Sequence, residues 1–230
     1  MSLLNGLRWT LYFVLFFVVY YLPAEILHRL GFKSRSYEVF QRTFTHVVLR
    51  LFAIKVKING AENFSPQFNY IIIANHLSWF DQFAIVSAFP VHLRFMVKAE
   101  YMKIPILNRA FRLYGFVSVN REKPEKDSLN EVYSILERGD SIVIYPEGTR
   151  SHDAQLRPFK LGAFRYAAKS GKAILPIVIE GTHSLLSKGR SLLDFKSGTV
   201  TLTLLPAQNV TTNEIEVAKV KLEKQFSAQL

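Results

Sequence analysis

The sequence contains no cysteine. That excludes disulfides, a thiol nucleophile and any cysteine-ligated zinc or iron–sulfur centre. The six histidines are scattered, with no H-E-x-x-H run and no tight His/Asp cluster, so no metal site is expected. No serine stands in a G-x-S-x-G context, and no phosphate-cradling G-x-x-x-x-G-K-[ST] or G-x-G-x-x-G loop follows a strand. Internal repeats, low-complexity tracts and long linkers are missing too. Acidic residues are scarce: 18 Asp and Glu face 29 Lys and Arg, for a net charge of +11. That balance favours an anionic partner, namely nucleic acid, anionic lipid or a phosphorylated substrate. No RNA- or DNA-reading module accompanies the basic residues, so no nucleic acid partner is expected.

Apolar side chains are plentiful. They make up 49% of 230 residues, enough for a substantial core in one large domain or a domain with an appendage. From Trp9 to Leu22 the chain runs uncharged, with Arg8 before it and Pro23 and Glu25 after it. The uncharged run is shorter than the roughly 20 residues that span a bilayer; counting back to Leu3 reaches that length but includes Arg8. Its end has no small-residue cleavage pattern, which argues against a removed signal peptide. Trp and Tyr in it suit a headgroup boundary. A basic stretch follows (His28, Arg29, Lys33, Arg35), then a helical pattern over Ser36–Ile54 with Phe40, Phe44, Val47, Val48, Leu51 and Phe52 at three- and four-residue steps. Residues 1–54 therefore read as a membrane-associating helical hairpin, and 55–230 as a separate domain. Spanning and lying in one leaflet both remain open, as does packing of the second helix on the soluble core.

Beyond Val56 the pattern is α/β. Strands are expected at 56–58, 70–74, 93–98, 116–119, 141–145, 174–180 and 199–205. Helices are expected at 80–89, 104–113, 126–138, 159–170 and 214–229. That alternation predicts a largely parallel sheet flanked by helices.

Four runs carry chemistry. In Asn75-His76-Leu77-Ser78-Trp79-Phe80-Asp81 a histidine and a carboxylate follow a strand. An imidazole held in one tautomer by a carboxylate takes a proton from a hydroxyl. Five residues apart on one helix the two would sit about 140° around the axis, so His76 belongs in the turn, with Asp81 folding back from the first helical turn. The alternative is a helix start capped by Ser78, without chemistry. In Tyr145-Pro146-Glu147-Gly148-Thr149-Arg150-Ser151 a strand ends at proline. Gly148 admits close backbone approach, Arg150 can grip phosphate, Thr149 and Ser151 can donate, and Glu147 can orient Arg150 or accept from a substrate hydroxyl. The third run, Gly115 to Arg121, delivers Arg121 to a strand's C-terminal end, where ligands collect in open α/β sheets. Lys98 and Lys103 would add to that positive region. The fourth, Ile174 to Gly181, reads as a buried strand whose apolar side lines either the core or an acyl channel.

Together these runs resemble the four sequence blocks of the glycerolipid acyltransferases, beginning with H-x4-D and E-G-T-R-S. From about residue 55 to 205 the chain is similar to the bacterial 1-acylglycerol-3-phosphate (lysophosphatidic acid) acyltransferases. Two departures are small: Tyr145 replaces a common phenylalanine, and Ser118-Val119-Asn120 is more polar than many second blocks. The resemblance implies transfer of a fatty acyl group from a thioester to the sn-2 hydroxyl of lysophosphatidic acid. It implies His76 as general base, Asp81 as its orienting partner, Arg121 and Arg150 as the phosphate grip aided by Gly148 and Thr149, and Glu147 as the residue ordering that loop. The donor would be acyl-CoA or acyl carrier protein, with no cofactor, working at an anionic membrane surface on the cytoplasmic face of a bacterial inner membrane. Another lysolipid acceptor, a hydrolase that activates water, and a non-catalytic lipid-binding protein are the alternatives.

Overall fold

The computed structural model describes residues 2–119 and 126–230. Helix α1 (Ser2–Leu15), a π-helical stretch (Phe16–Tyr21) and α2 (Leu22–Arg29) run on as one helix. Over Leu3–Arg29 it is long and apolar enough to cross a membrane, and only 17% of its most apolar window is buried. The π-helical stretch is fixed from outside: the Tyr20 ring stacks on Tyr114 at 4.0 Å, and the Tyr114 hydroxyl donates to the Tyr20 carbonyl at 2.8 Å. Helix α3 (Glu38–Leu51) then lays Phe44 and Val48 against the sheet layer.

Seven strands follow: β1 (Ile54–Asn59), β2 (Ile71–Ala74), β3 (Leu93–Lys98), β4 (Val117–Val119), β5 (Ser141–Ile144), β6 (Ile174–Glu180) and β7 (Gly198–Leu204). Their order in the sheet is β1-β7-β6-β2-β5-β3-β4. Every pairing is parallel except β6 with β7. The expected largely parallel sheet is thus present, with β7 and β1 reversed at one edge. Between the strands lie α4 (Asp81–Ala88), α5 (Pro105–Leu113), α6 (Lys126–Glu137), α7 (Gly162–Ser170), the short α8 (Thr182–Leu185) and, last, α9 (Ile215–Ser227).

The two-residue period of the strands divides the core. Ile71 and Ile73 face the layer of α6, α7 and α9, whereas Ile72 and Ala74 face the opposite layer, which holds Trp9, Tyr20, Phe44, Val48 and Phe52. Residues from the N-terminal helices thus share one apolar cluster with the sheet. Pro176 sits inside β6 without breaking it, because β7 bonds it through an acceptor: the Leu205 N–H donates to its carbonyl at 2.9 Å.

Parallel pairing of β2 with both β5 and β6 puts their C-terminal ends side by side. The first, third and fourth blocks therefore meet at the C-terminal ends of the central strands.

Candidate active site

His76 follows β2 in a turn, and Asp81 opens α4. Asp81 Oδ2 lies 2.7 Å from His76 Nδ1 and also accepts the backbone N–H groups of Leu77 (2.7 Å) and Ser78 (2.9 Å). The carboxylate is fully buried, and the imidazole is 18% exposed. With Nδ1–H donated to Asp81, Nε2 keeps its lone pair for an incoming proton. The capping alternative does not hold for Ser78. Its hydroxyl donates to the Leu186 carbonyl at 2.7 Å, and the helix starts after Phe80 without a side-chain cap.

The third block closes over the same turn. Tyr145 stacks on the imidazole with ring centroids 3.9 Å apart and planes within 13°. Its buried hydroxyl has no hydrogen-bond partner among the described residues, so a phenylalanine would stack equally well there. Glu147 does not reach Arg150. Its Oε1 accepts the His76 N–H (2.7 Å) and its Oε2 the Arg157 N–H (3.0 Å), so it orders the backbone around His76. Burial pushes its carboxyl up to about 7, against the lowering effect of those two hydrogen bonds. Ser151 is buried and points away, donating to Asp153 Oδ1 at 2.8 Å, while its N–H donates to the His76 carbonyl at 2.8 Å.

Gly148 has φ +73°, a left-handed conformation that favours glycine. A β-carbon here would stand 3.1 Å from Lys160 Cε and 3.2 Å from its Nζ. Thr149 Oγ1 accepts from Lys188 Nζ at 2.9 Å. The Arg150 guanidinium lies 5.5 Å from the Trp79 ring centroid, a cation–π contact. Burial lowers its proton affinity, so an anion beside it would be welcome.

Two of the other expected residues, Lys98 and Lys103, lie on the surface. Lys98, at the C-terminal end of β3, pairs with Glu100 at 2.8 Å on the surface. Lys103 is exposed in the following 3₁₀ turn. Arg121 lies outside the described residues. Among the described residues, no group of three or more His, Asp and Glu could hold a metal ion.

Trp79 also opens onto an apolar cavity of about 580 Å³, lined by Tyr12, Phe16, Phe44, Phe83 and Phe111 among others. It lies between the N-terminal helices, α4 and α5. Sequence reasoning missed this cavity, the Tyr145 stack and the two lysines. Lys160 and Lys188 stand in no periodic pattern, and only the turn's tertiary neighbours single them out.

The acyltransferase family profile matches residues 55–180, which include both blocks just described. The chain belongs to the acyltransferase family. Among curated members, it is 33% identical to the chloroplastic 1-acyl-sn-glycerol-3-phosphate acyltransferase of Arabidopsis thaliana, over 66% of this chain and 46% of that protein. It is 31% identical to the 1-acyl-sn-glycerol-3-phosphate acyltransferase of Borreliella burgdorferi, over 70% of this chain and 64% of that protein. The matches thus span from about half to just under two thirds of these relatives' length. Among solved acyltransferases, the crystal structure of the 1-acyl-sn-glycerophosphate (LPA) acyltransferase PlsC from Thermotoga maritima superposes with a TM-score of 0.75. It is 26% identical, over 98% of this chain and 97% of that one.

Proposed function

We propose that this acyltransferase moves a fatty acyl group from a thioester to the sn-2 hydroxyl of lysophosphatidic acid, giving phosphatidic acid. The observation that carries this is the buried 2.7 Å contact between His76 Nδ1 and Asp81 Oδ2, with Nε2 left as the base. His76 Nε2 takes the hydroxyl proton as the oxygen attacks the thioester carbonyl. The tetrahedral intermediate collapses, the carbon–sulfur bond breaks, and the imidazolium returns its proton to the thiolate. Asp81 holds the tautomer and stabilises the cation. No acyl-enzyme is required, in keeping with the missing cysteine and G-x-S-x-G serine.

Arg150 and Arg121 hold the acceptor phosphate in this reading, with Thr149 and the Gly148 backbone beside them and Lys98 and Lys103 adding positive potential. The apolar cavity beside Trp79 receives an acyl chain. The donor is acyl-CoA or acyl carrier protein. Residues 1–54 form the membrane-facing unit, set on an anionic surface at the cytoplasmic face of the inner membrane. The exposed stripe Leu4, Leu7, Leu11, Val14, Val18 and Leu22 supports this, as does the net charge of +11.

The test is thioester consumption by the purified protein in mixed micelles, with labelled acyl-CoA and lysophosphatidic acid, another lysolipid, or no acceptor. Phosphatidic acid formed only with lysophosphatidic acid, and lost on His76→Ala, supports the reading. Free fatty acid released without any acceptor would replace it with a hydrolase.

A further inference from the structure

The short segment that leads into Asp81 is propped at both ends by a loop distant in sequence. At its start, the Ser78 hydroxyl donates to the Leu186 carbonyl at 2.7 Å, while the Ser78 N–H donates to Asp81 Oδ2 at 2.9 Å. At its end, the Phe80 ring packs on Phe195 with centroids 5.1 Å apart. The Lys196 N–H donates to the Leu185 carbonyl at 2.9 Å, which closes the loop and joins the two props. Ser78, Phe80, Leu186 and Phe195 are all buried. The loop is held in turn by α1. Its 3₁₀ turn, Leu192–Asp194, is capped locally by Ser191, but three carbonyls accept from the helix instead. Asn5 Nδ2 donates to the Leu193 and Phe195 carbonyls, both at 2.8 Å, and Trp9 Nε1 donates to the Leu192 carbonyl at 2.8 Å. Asn5 is only 3% exposed. Apolar packing is non-directional, whereas an amide whose two hydrogens both reach fixed carbonyls sets distance and angle.

We propose that Asn5 is a positioning residue for the His76–Asp81 pair, acting through the loop 186–195 on Ser78 and Phe80. The inference rests on the acyl-transfer reading above. The first helix then does more than face a bilayer with Leu4, Leu7 and Leu11: its inner side fixes the loop on which the Asp81 segment leans. Trp9 adds a third bond to the same loop but also lines the apolar cavity, so Asn5 is the residue that isolates the effect. Loss of its two bonds frees the Leu193 and Phe195 carbonyls, and the loop can shift under Ser78 and Phe80. Displacement of a reacting group by roughly 1 Å is enough to cost up to about 100-fold in rate. Such a loss falls on kcat, because Asn5 stands apart from the cavity and from the block after β5.

The experiment is a double-mutant cycle on the whole chain, assayed with acyl-CoA and lysophosphatidic acid in anionic vesicles and in detergent micelles. Asn5→Leu keeps the side chain's size and removes both donors; Asn5→Ala serves if the leucine does not fold. Ser78→Ala breaks the other end of the route. Asn5→Leu should lower kcat about ten-fold in both media, with each KM within about two-fold of wild type and vesicle sedimentation unchanged. Ser78→Ala should lower kcat as well, and the double variant should be no worse than the poorer single, because both act through one loop. A folded Asn5 variant with wild-type kcat would overturn the inference. So would single losses that multiply in the double variant, which would separate Asn5 from Ser78. A loss abolished by excess vesicles would also overturn it, by reducing α1 to a tether. A wild type that forms no phosphatidic acid would sink the parent reading, and the inference with it.

Discussion

His76 can serve as a base only in the tautomer that Asp81 selects, and Asp81 is held by three donors at one oxygen. Asp81→Asn can present an amide to Nδ1, so the imidazole proton moves to Nε2 and the base is lost. A fall in kcat of about 10³- to 10⁴-fold is expected, with native circular dichroism. Activity within ten-fold of wild type would remove Asp81 from the mechanism. Glu147 acts one step back, through the backbone of His76. Its folded carboxyl titrates at about 7, above the ordinary value of 4.5, so the folded state binds the extra proton more tightly. Its contribution to stability is therefore complete below pH 4.5 and is lost as pH rises through about 7. Glu147→Gln should flatten the pH dependence of denaturant midpoints over that window, by up to about 3 kcal/mol. A parallel pair of pH profiles would show that the wild-type carboxyl is not perturbed.

At the scale of elements, the N-terminal helix presents two different faces. Trp9, Tyr20 and Ala24 are buried, and the Trp9 indole donates to the Leu192 carbonyl at 2.8 Å. Val14 and Val18, on the outer stripe, are about half exposed, at 51% and 53%. An apolar stripe of this kind on a helix already docked by its other face suits insertion into the headgroup boundary. Val14→Glu with Val18→Glu should weaken sedimentation with anionic liposomes at least ten-fold and leave turnover in detergent near wild type. Equal sedimentation of the variant would move membrane contact to another surface. The helix pattern in the sequence showed an amphipathic segment over 36–54. It did not show that Phe44 would meet Phe83 of α4, because periodicity identifies a face and not its partner.

For the whole molecule, the sheet is pinned at the end opposite the site by a buried ion pair. Arg94 on β3 bonds Asp140 through Nε (3.1 Å) and a terminal nitrogen (2.8 Å), and it also donates to the Tyr114 carbonyl. Gly115, the first residue of the second block, has φ +65° and leaves no room for a β-carbon beside that guanidinium. Asp140→Ala would strand a buried charge and should cost about 3–5 kcal/mol in chemical denaturation. Replacing the pair together, Arg94→Met with Asp140→Leu, should cost less. A single variant as stable as the wild type would show the pair to be incidental.

The strands and helices were legible because their periods are local: Leu93–Lys98 and Ile174–Glu180 were read to the residue, and the ends of other elements shifted by a few residues. The His76/Asp81 and Glu147–Arg150 blocks were legible because their residue types are chemically rare in combination. Their meeting needed only parallel pairing of β2 with β5. The sequence by itself therefore determined the α/β architecture and marked out the His76/Asp81 pair proposed as base and orienting carboxylate. Tertiary structure alone decided which way Glu147 turns, that Tyr145 stacks on the imidazole, that Lys160 and Lys188 reach Gly148 and Thr149, and that an apolar cavity opens beside Trp79. Each of these depends on contacts between segments far apart in the chain, whose geometry is set by packing and leaves no periodic trace in either segment.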